Sequence, residues 1–293
     1  MGNLTNFPSV YSPTIIGRED RAEYMRSQAE KYGFNLHLYP VKDYYTNRHE
    51  FKVSGPMINE GNFIPKNLHS FNYCTFISYL RCIKKWYEET EEEQVIVCDD
   101  DTDFSTSEYW HFTWQEFYDM LPPTWECIQL IAIRKDLDKV HIFPEWKEDQ
   151  LKQTYIFTAG STDPLIYQYK LIPKLPTTNI GGGVFMFKRQ YVKKLLDAYT
   201  RGENEYYLDV VFNGQRLFPY PEVIAVSVGE SYNFPMFVEN IYLNTTYFNS
   251  EMGGDEWQKV HGNSRDFYYN YWQNNAKFVA LWRMMNLDYL KRY

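Results

Sequence analysis

The segment from Gln94 to Phe104 constrains the fold of this chain more than any other. Val95-Ile96-Val97-Cys98 has the length and β-branched content of a buried strand. It runs straight into Asp99, Asp100, Asp101 and Asp103, four carboxylates in five positions. Neighbouring carboxylates about 4 Å apart, at an effective dielectric of about 20, repel by about 4 kcal/mol. Such a cluster persists at a strand end only if it is well solvated or if positive charge is supplied. A divalent cation supplies it most simply, and an all-oxygen site favours Mg²⁺, Mn²⁺ or Ca²⁺. In α/β sheets ligands bind at the carboxyl ends of strands, so the pattern points to a metal holding phosphates. The plainer alternative is an acidic loop that caps the next helix. An EF-hand is excluded, because its glycine and glutamate positions, counted from Asp99, hold Phe104 and Trp110.

Bulk composition narrows the class. The chain has 293 residues, 44% of them hydrophobic and 23% charged, which suits one large globular domain or two small ones. A net charge of -8 argues against a general nucleic-acid binder. An acidic protein that binds a nucleoside diphosphate needs a cation as mediator, in agreement with the aspartates. Cys74, Cys82, Cys98 and Cys127 show neither C-x-x-C nor zinc-like spacing and read as reduced thiols. The first residues lack the basic and apolar regions of a signal peptide, and no apolar run reaches membrane-spanning length. The expectation is therefore a cytoplasmic protein, with Asn3-Leu-Thr and Asn244-Thr-Thr as idle glycosylation sequons. Aromatic residues make up 19% of the chain, and Tyr-rich surfaces suit sugars, although a plain compositional bias explains the number equally well.

Read along the chain, Tyr11 to Ile16 predicts a strand, the stretch to Tyr32 a helix stopped by Gly33, and Phe34 to Val41 a second strand. That is the opening of a doubly wound sheet. Residues 42 to 70 read as loop, 74 to 90 as a helix, Trp114 to Leu121 as a short helix and Cys127 to Ile133 as a buried strand. Residues 134 to 178 read as irregular, with strand-like pieces at Val140-Phe143 and Tyr155-Thr158. Gly181 to Phe187 then predicts a strand, Gln190 to Tyr199 a helix, Tyr206 to Phe212 a helix, Val223 to Val226 a strand and Phe278 to about Leu290 an amphipathic helix. The expected fold class is α/β, a mixed sheet flanked by helices. Residues 1–246 form the main domain, and residues 247–293 form an extension packed on it.

Three further features carry chemistry. His261-Gly262-Asn263 places a histidine in an expected loop, within reach of the acidic cluster as a metal ligand or simply in a surface turn. Gly181, Gly182 and Gly183 let backbone approach a ligand closely, or else form a bulge or tight turn. Their spacing matches neither a P-loop nor G-x-G-x-x-G. Asp209, alone in an apolar run, is either a structural pair or a general base.

Taken in order, these motifs resemble a GT-A glycosyltransferase, with its Rossmann-like nucleotide-sugar fold. They resemble in particular the family 25 group of lipooligosaccharide and collagen galactosyltransferases. The resemblance rests on Thr14-Ile-Ile-Gly-Arg-Glu-Asp-Arg21, on Tyr32-Gly-Phe-Asn-Leu36 through Pro40-Val41, on Asp99 to Asp101, on Leu121 to Leu130, on Gly181 to Leu196 and on Asp209. The chain departs from that group in having Asp-Asp-Asp-Thr-Asp in place of Glu-Asp-Asp. Its His-Gly-Asn is similar to the glycosyltransferase domain of procollagen lysyl hydroxylases. The resemblance implies transfer of a sugar from a UDP-sugar, with Mn²⁺ or Mg²⁺, to a glycan or protein hydroxyl. It implies that Asp101 and His261 hold the metal, together with Asp103 or Asp99. The D-x-D pattern pairs Asp99 with Asp101, and the D-x-x-D pattern pairs Asp100 with Asp103. Asp99 or Asp100 would touch ribose or sugar, Arg18 and Arg21 the nucleotide, and Gly181 to Gly183 the donor sugar. Asp209 would be the base of an inverting reaction, and the two relatives leave retaining or inverting chemistry open. The rival functions are a nucleotidyl- or sugar-phosphate transferase and a non-catalytic carbohydrate-binding protein.

Overall fold

The computed structural model describes residues 4–42, 51–58, 68–110, 112–119, 121, 123–131, 133, 156–158, 168–170, 172–173, 183–212, 214–217, 219–244 and 258–274. The chain opens with β1 (Val10–Ile15), α1 (Glu19–Tyr32), β2 (Leu36–Val41), β3 (Lys52–Ser54), α2 (Leu68–Glu89) and β4 (Gln94–Cys98). Then come β5 (Thr102–Asp103), α3 (Trp114–Asp119), β6 (Cys127–Gln129), β7 (Ile156–Thr158), β8 (Gln168–Lys170) and β9 (Ile172–Pro173). They are followed by β10 (Val184–Lys188), α4 (Arg189–Tyr199), β11 (Thr200–Gly202), β12 (Glu205–Tyr207), β13 (Val210–Phe212) and β14 (Gln215–Leu217). The described chain ends with α5 (Pro221–Ile224), β15 (Ser231–Asn233), β16 (Val238–Glu239) and a helix, α6, over residues 258–274.

Seven strands form the central sheet in the order β2-β1-β4-β10-β6-β15-β9. β2, β1 and β4 are parallel, β10 runs antiparallel to both β4 and β6, and β15 is parallel to β6. The carboxyl ends of β1, β2, β4, β6 and β15 therefore share one edge, and β10 starts from that edge. The period-2 geometry of a strand covered on both faces explains why Val95 to Cys98 of β4 and Val184 to Phe187 of β10 are all apolar. Val95, Val97, Phe185 and Phe187 enter one core with Phe76, Leu80 and Trp86 of α2 and Tyr191 and Leu195 of α4. Ile96, Cys98, Val184 and Met186 enter a second core with Met25 of α1, Trp114 and Phe117 of α3, and Trp272 of α6. The result is a mixed α/β structure with helices on both faces, compatible with a Rossmann-like fold. No helix among the described residues is long and apolar enough to cross a membrane.

Several local expectations are corrected. Residues 206 to 212 are not helical: they form β12 and β13, and their β-branched and aromatic side chains pair across β3 and β14. Val223 to Val226 is no strand, because Pro221 starts the single turn of α5 instead. The stretch 42 to 70 contains β3, and α2 begins at Leu68. The buried strand after Pro123 is only Cys127–Gln129. Gly33, by contrast, ends α1 in the left-handed region at φ 73, and its N–H reaches Ala29 O at 2.8 Å. The expected pieces at Val140-Phe143 and Phe278-Leu290 lie outside the described residues.

Candidate functional site

Connectivity singles out one crevice. From β1 the chain crosses through α1 to β2 on one side, and α2 then leads to β4 on the other side of β1. The two helices pack on opposite faces of the sheet. The carboxyl ends of β1 and β4 therefore flank a topological switch point, where open α/β sheets bind ligands. The loop from Ile16 to Arg18 leaves one strand there, and Asp99-Asp100-Asp101 leaves the other.

The acids do different jobs. The backbone N–H of Asp99 donates to Gly183 O at 2.7 Å, and its carbonyl accepts Thr102 N at 3.2 Å and Thr102 Oγ1 at 2.8 Å. Its side chain accepts a hydrogen bond from Tyr79 Oη. Burial pushes the Asp99 carboxyl well above its ordinary range; Asp101 and Glu239 push the same way, and the Tyr79 bond opposes them. Asp100 is 4% exposed and pairs with Arg21 Nη1, and burial raises its carboxyl against that pairing. Asp101 is 6% exposed; one carboxylate oxygen lies 3.5 Å from Arg21 Nη2, and its carbonyl accepts Asn240 N at 2.7 Å. Asp103 accepts Ser105 N at 2.8 Å, an Asx-type turn into the short 3₁₀ helix Ser105–Tyr109.

The Asn240 bond brings a second layer over the cluster. β16 pairs antiparallel with β5, Glu239 opposite Thr102 and Val238 opposite Asp103. Glu239 Oε2 lies 2.6 Å from His261 Nδ1, with both side chains largely buried. His261 is therefore not in a loop. It sits on α6, which is anchored by buried Tyr268 and Trp272 and by the bond from Trp272 Nε1 to Pro235 O at 3.1 Å. Burial lowers the basicity of its imidazole, but Glu239 and Asp101 outweigh that and leave it raised. A cavity of about 10 Å³, room for about one water, lies beside the pair against Ile131, Phe237, Ser264 and Tyr268.

The remaining expected residues fall in different places. Arg18 forks onto Asp20 at 2.9 and 2.8 Å and reaches Leu243 O at 3.2 Å. Arg21, from the first turn of α1, is inside the cluster. Gly181 and Gly182 lie outside the described residues, whereas Gly183 stands at φ +120 with its Cα face against Ile131. An added Cβ there would stand 2.7 Å from Ile131 Cγ2, so close packing accounts for this glycine. Asp209 lies between β12 and β13, ion-paired with Arg216 at 2.9 Å. Tyr79 and Glu239 were not marked by the sequence. Tyr79 is one apolar-face residue of a long helix, and Glu239 is one acid after the apolar stretch Phe234 to Val238.

The donor types of the cluster are those a hard divalent cation takes: carboxylate oxygens, and an imidazole whose Nδ1 is held by a carboxylate. Buried Asp100, Asp101 and Glu239 also outnumber the basic groups that face them, Arg21 and His261. Among the described residues, however, no three His, Cys, Asp or Glu side chains already converge as a ready ligand set.

Comparisons with known proteins leave the family open. No protein-family model matches the chain, and no curated protein is similar to it. Among solved structures, HddC from Yersinia pseudotuberculosis is similar at 9% identity with a TM-score of 0.30, over 88% of this chain and 99% of that one.

Proposed function

We propose that this chain is a metal-dependent glycosyltransferase that moves a sugar from a nucleoside-diphosphate sugar, UDP-linked by resemblance, to a hydroxyl of a glycan or protein. One observation carries the reading: buried, under-compensated carboxylates gather at the switch point of the sheet, beside an arginine from the helix that follows β1. Asp101 and His261 would hold the cation, Mn²⁺ or Mg²⁺. When bound, the cation neutralises the leaving diphosphate as a Lewis acid. Glu239 fixes the ring of His261 through Nδ1. Asp99 and Asp103, each engaged by a neighbouring donor, shape the loop that presents Asp101. Arg18 and Arg21 supply fixed positive charge for a phosphate. Asp209 commits its carboxylate to Arg216, and the proposal does not depend on it.

The test is a calorimetric titration with UDP, with Mn²⁺ and again with a chelator, followed by a hydrolysis screen of nucleotide sugars. UDP binding that requires Mn²⁺, together with turnover of at least one nucleotide sugar, is the expected result. Absence of metal-dependent binding by any nucleoside diphosphate would overturn the reading.

A further inference from the structure

We propose that Arg21 is the resident counter-ion of the acidic cluster and that a divalent cation enters by displacing it from Asp101. This rests on the metal site described under the proposed function. It goes further in making Arg21 a competitor of the metal and the link between metal and nucleotide.

The observation is an asymmetry in how one guanidinium is shared. Arg21 is largely buried and aims one nitrogen at Asp100, in close contact, and another at Asp101, at 3.5 Å. A charge-assisted N–H···O bond is tight at about 2.7–2.9 Å. The hold on Asp100 is thus the firm one and the hold on Asp101 the loose one. Arg21 also stands at the third position of α1, on rigid backbone, so it cannot leave the crevice altogether. Its fork nevertheless explains why ready ligands do not converge: two of the acids face a guanidinium. When Asp101 turns to a cation, Arg21 keeps Asp100 and releases the N–H that faced Asp101. That donor and its positive charge are complementary to a phosphate oxygen. A diphosphate therefore takes up the charge that the metal displaces, and metal and diphosphate bind each other's site more tightly than either binds alone. Such coupling is reciprocal by linkage.

The experiment measures Mn²⁺ affinity calorimetrically, with and without UDP, in the full chain and in Arg21→Gln and Arg21→Lys. In the unaltered protein UDP should tighten Mn²⁺ by about tenfold or more. Arg21→Gln keeps a hydrogen-bonding side chain but removes the competing charge. It should bind Mn²⁺ about tenfold more tightly without UDP, and the effect of UDP should shrink to about threefold or less. Arg21→Lys keeps the charge without the fork and should fall between the two. Because Arg21→Gln also leaves buried acids uncompensated, a second measurement uses unaltered protein. Nitrogen-15 NMR of the arginine side chains during a Mg²⁺ titration should show the Arg21 signal moving in step with metal saturation. Metal affinity that is unchanged or weaker in Arg21→Gln, or an Arg21 signal that stays still, overturns the inference while metal-dependent UDP binding keeps the glycosyltransferase reading intact. If neither protein binds Mn²⁺ with or without UDP, both fall together.

Discussion

Two acidic runs bracket β4 and behave in opposite ways. Glu91, Glu92 and Glu93 precede the strand and are exposed, whereas Asp100 and Asp101 follow it at 4% and 6% exposure. At the amino end, the carboxylate of Glu92 accepts Ser9 Oγ at 2.7 Å and Trp86 Nε1 at 2.8 Å, both neutral donors. At the carboxyl end, the aspartates meet Arg21, Tyr79 and, through Asn240, the strand that carries Glu239. Charge density is similar at the two ends, so density alone does not mark a site. What differs is desolvation at the switch-point edge, where water no longer screens the acids and a cation is worth far more.

The largest effect should come from breaking the contrast at its buried end. Asp101→Ala should lower metal-dependent UDP binding by about 100-fold or more, while Glu91→Ala leaves it unchanged. Calorimetry compares the two, and circular dichroism should show the same folded spectrum for both. Equal loss in both variants would mean that binding follows net charge and that the crevice is not the site.

A second test sharpens the comparison through the β4–β10 ladder, which is tied off at both ends. At the amino end Arg189 N donates to Glu93 O at 2.8 Å, and at the carboxyl end Asp99 N donates to Gly183 O at 2.7 Å. Only the second tie depends on a residue that no side chain can replace. Gly183→Ala meets both a φ of +120 and Ile131 at 2.7 Å, so it should cost about 2–3 kcal/mol in urea unfolding. An effect under about 0.5 kcal/mol would mean that the edge can yield there.

The layered α/β architecture was legible because β4 and its neighbours carry strong, short-period apolar signals, and because Gly33 and Pro122-Pro123 punctuate the chain. The acidic cluster was legible from residue type alone. Its partners were not. Glu239 reaches the cluster only because β16 pairs with β5, and Tyr79 only because α2 crosses β4; neither contact leaves a local trace. His261 was marked, but its flanking glycine suggested a loop, whereas burial of Tyr268 and Trp272 holds the segment helical. Residues 206 to 212 failed for a related reason. Their apolar run fits helix and strand alike, and pairing with β3 decides between them.

A smaller effect concerns pH. Folding raises the Asp99 carboxyl above its ordinary value of 3.8, so above that value the folded state holds a proton that the unfolded chain has released. Fewer protons bound in the unfolded state mean that stability falls as pH rises through this range. That contribution is present in full below the ordinary value and is lost by the raised one. Asp99→Asn retains an acceptor for Tyr79 Oη and removes the ionisable proton. It should be more stable than the parent at pH 7 by about 1–2 kcal/mol, with a flatter melting temperature between pH 4 and pH 7. A parent that instead gains stability over this interval would show that Asp99 ionises freely.

The smallest effect belongs to the solvated end. Glu92→Gln keeps one carbonyl oxygen, which can accept from Ser9 or from Trp86 but not serve both as the carboxylate does. One hydrogen bond from a neutral donor to an exposed carboxylate is lost or weakened, so the cost should be about 0.5–1 kcal/mol. Affinity for Mn²⁺ and UDP should not move, because Glu92 lies at the opposite end of β4 from Asp101. The comparison is tight because both substitutions can be read in the same calorimeter. A Glu92→Gln protein that lost UDP binding along with Asp101→Ala would place the amino end of the strand inside the functional site and dissolve the distinction between a desolvated acid cluster and a solvated one.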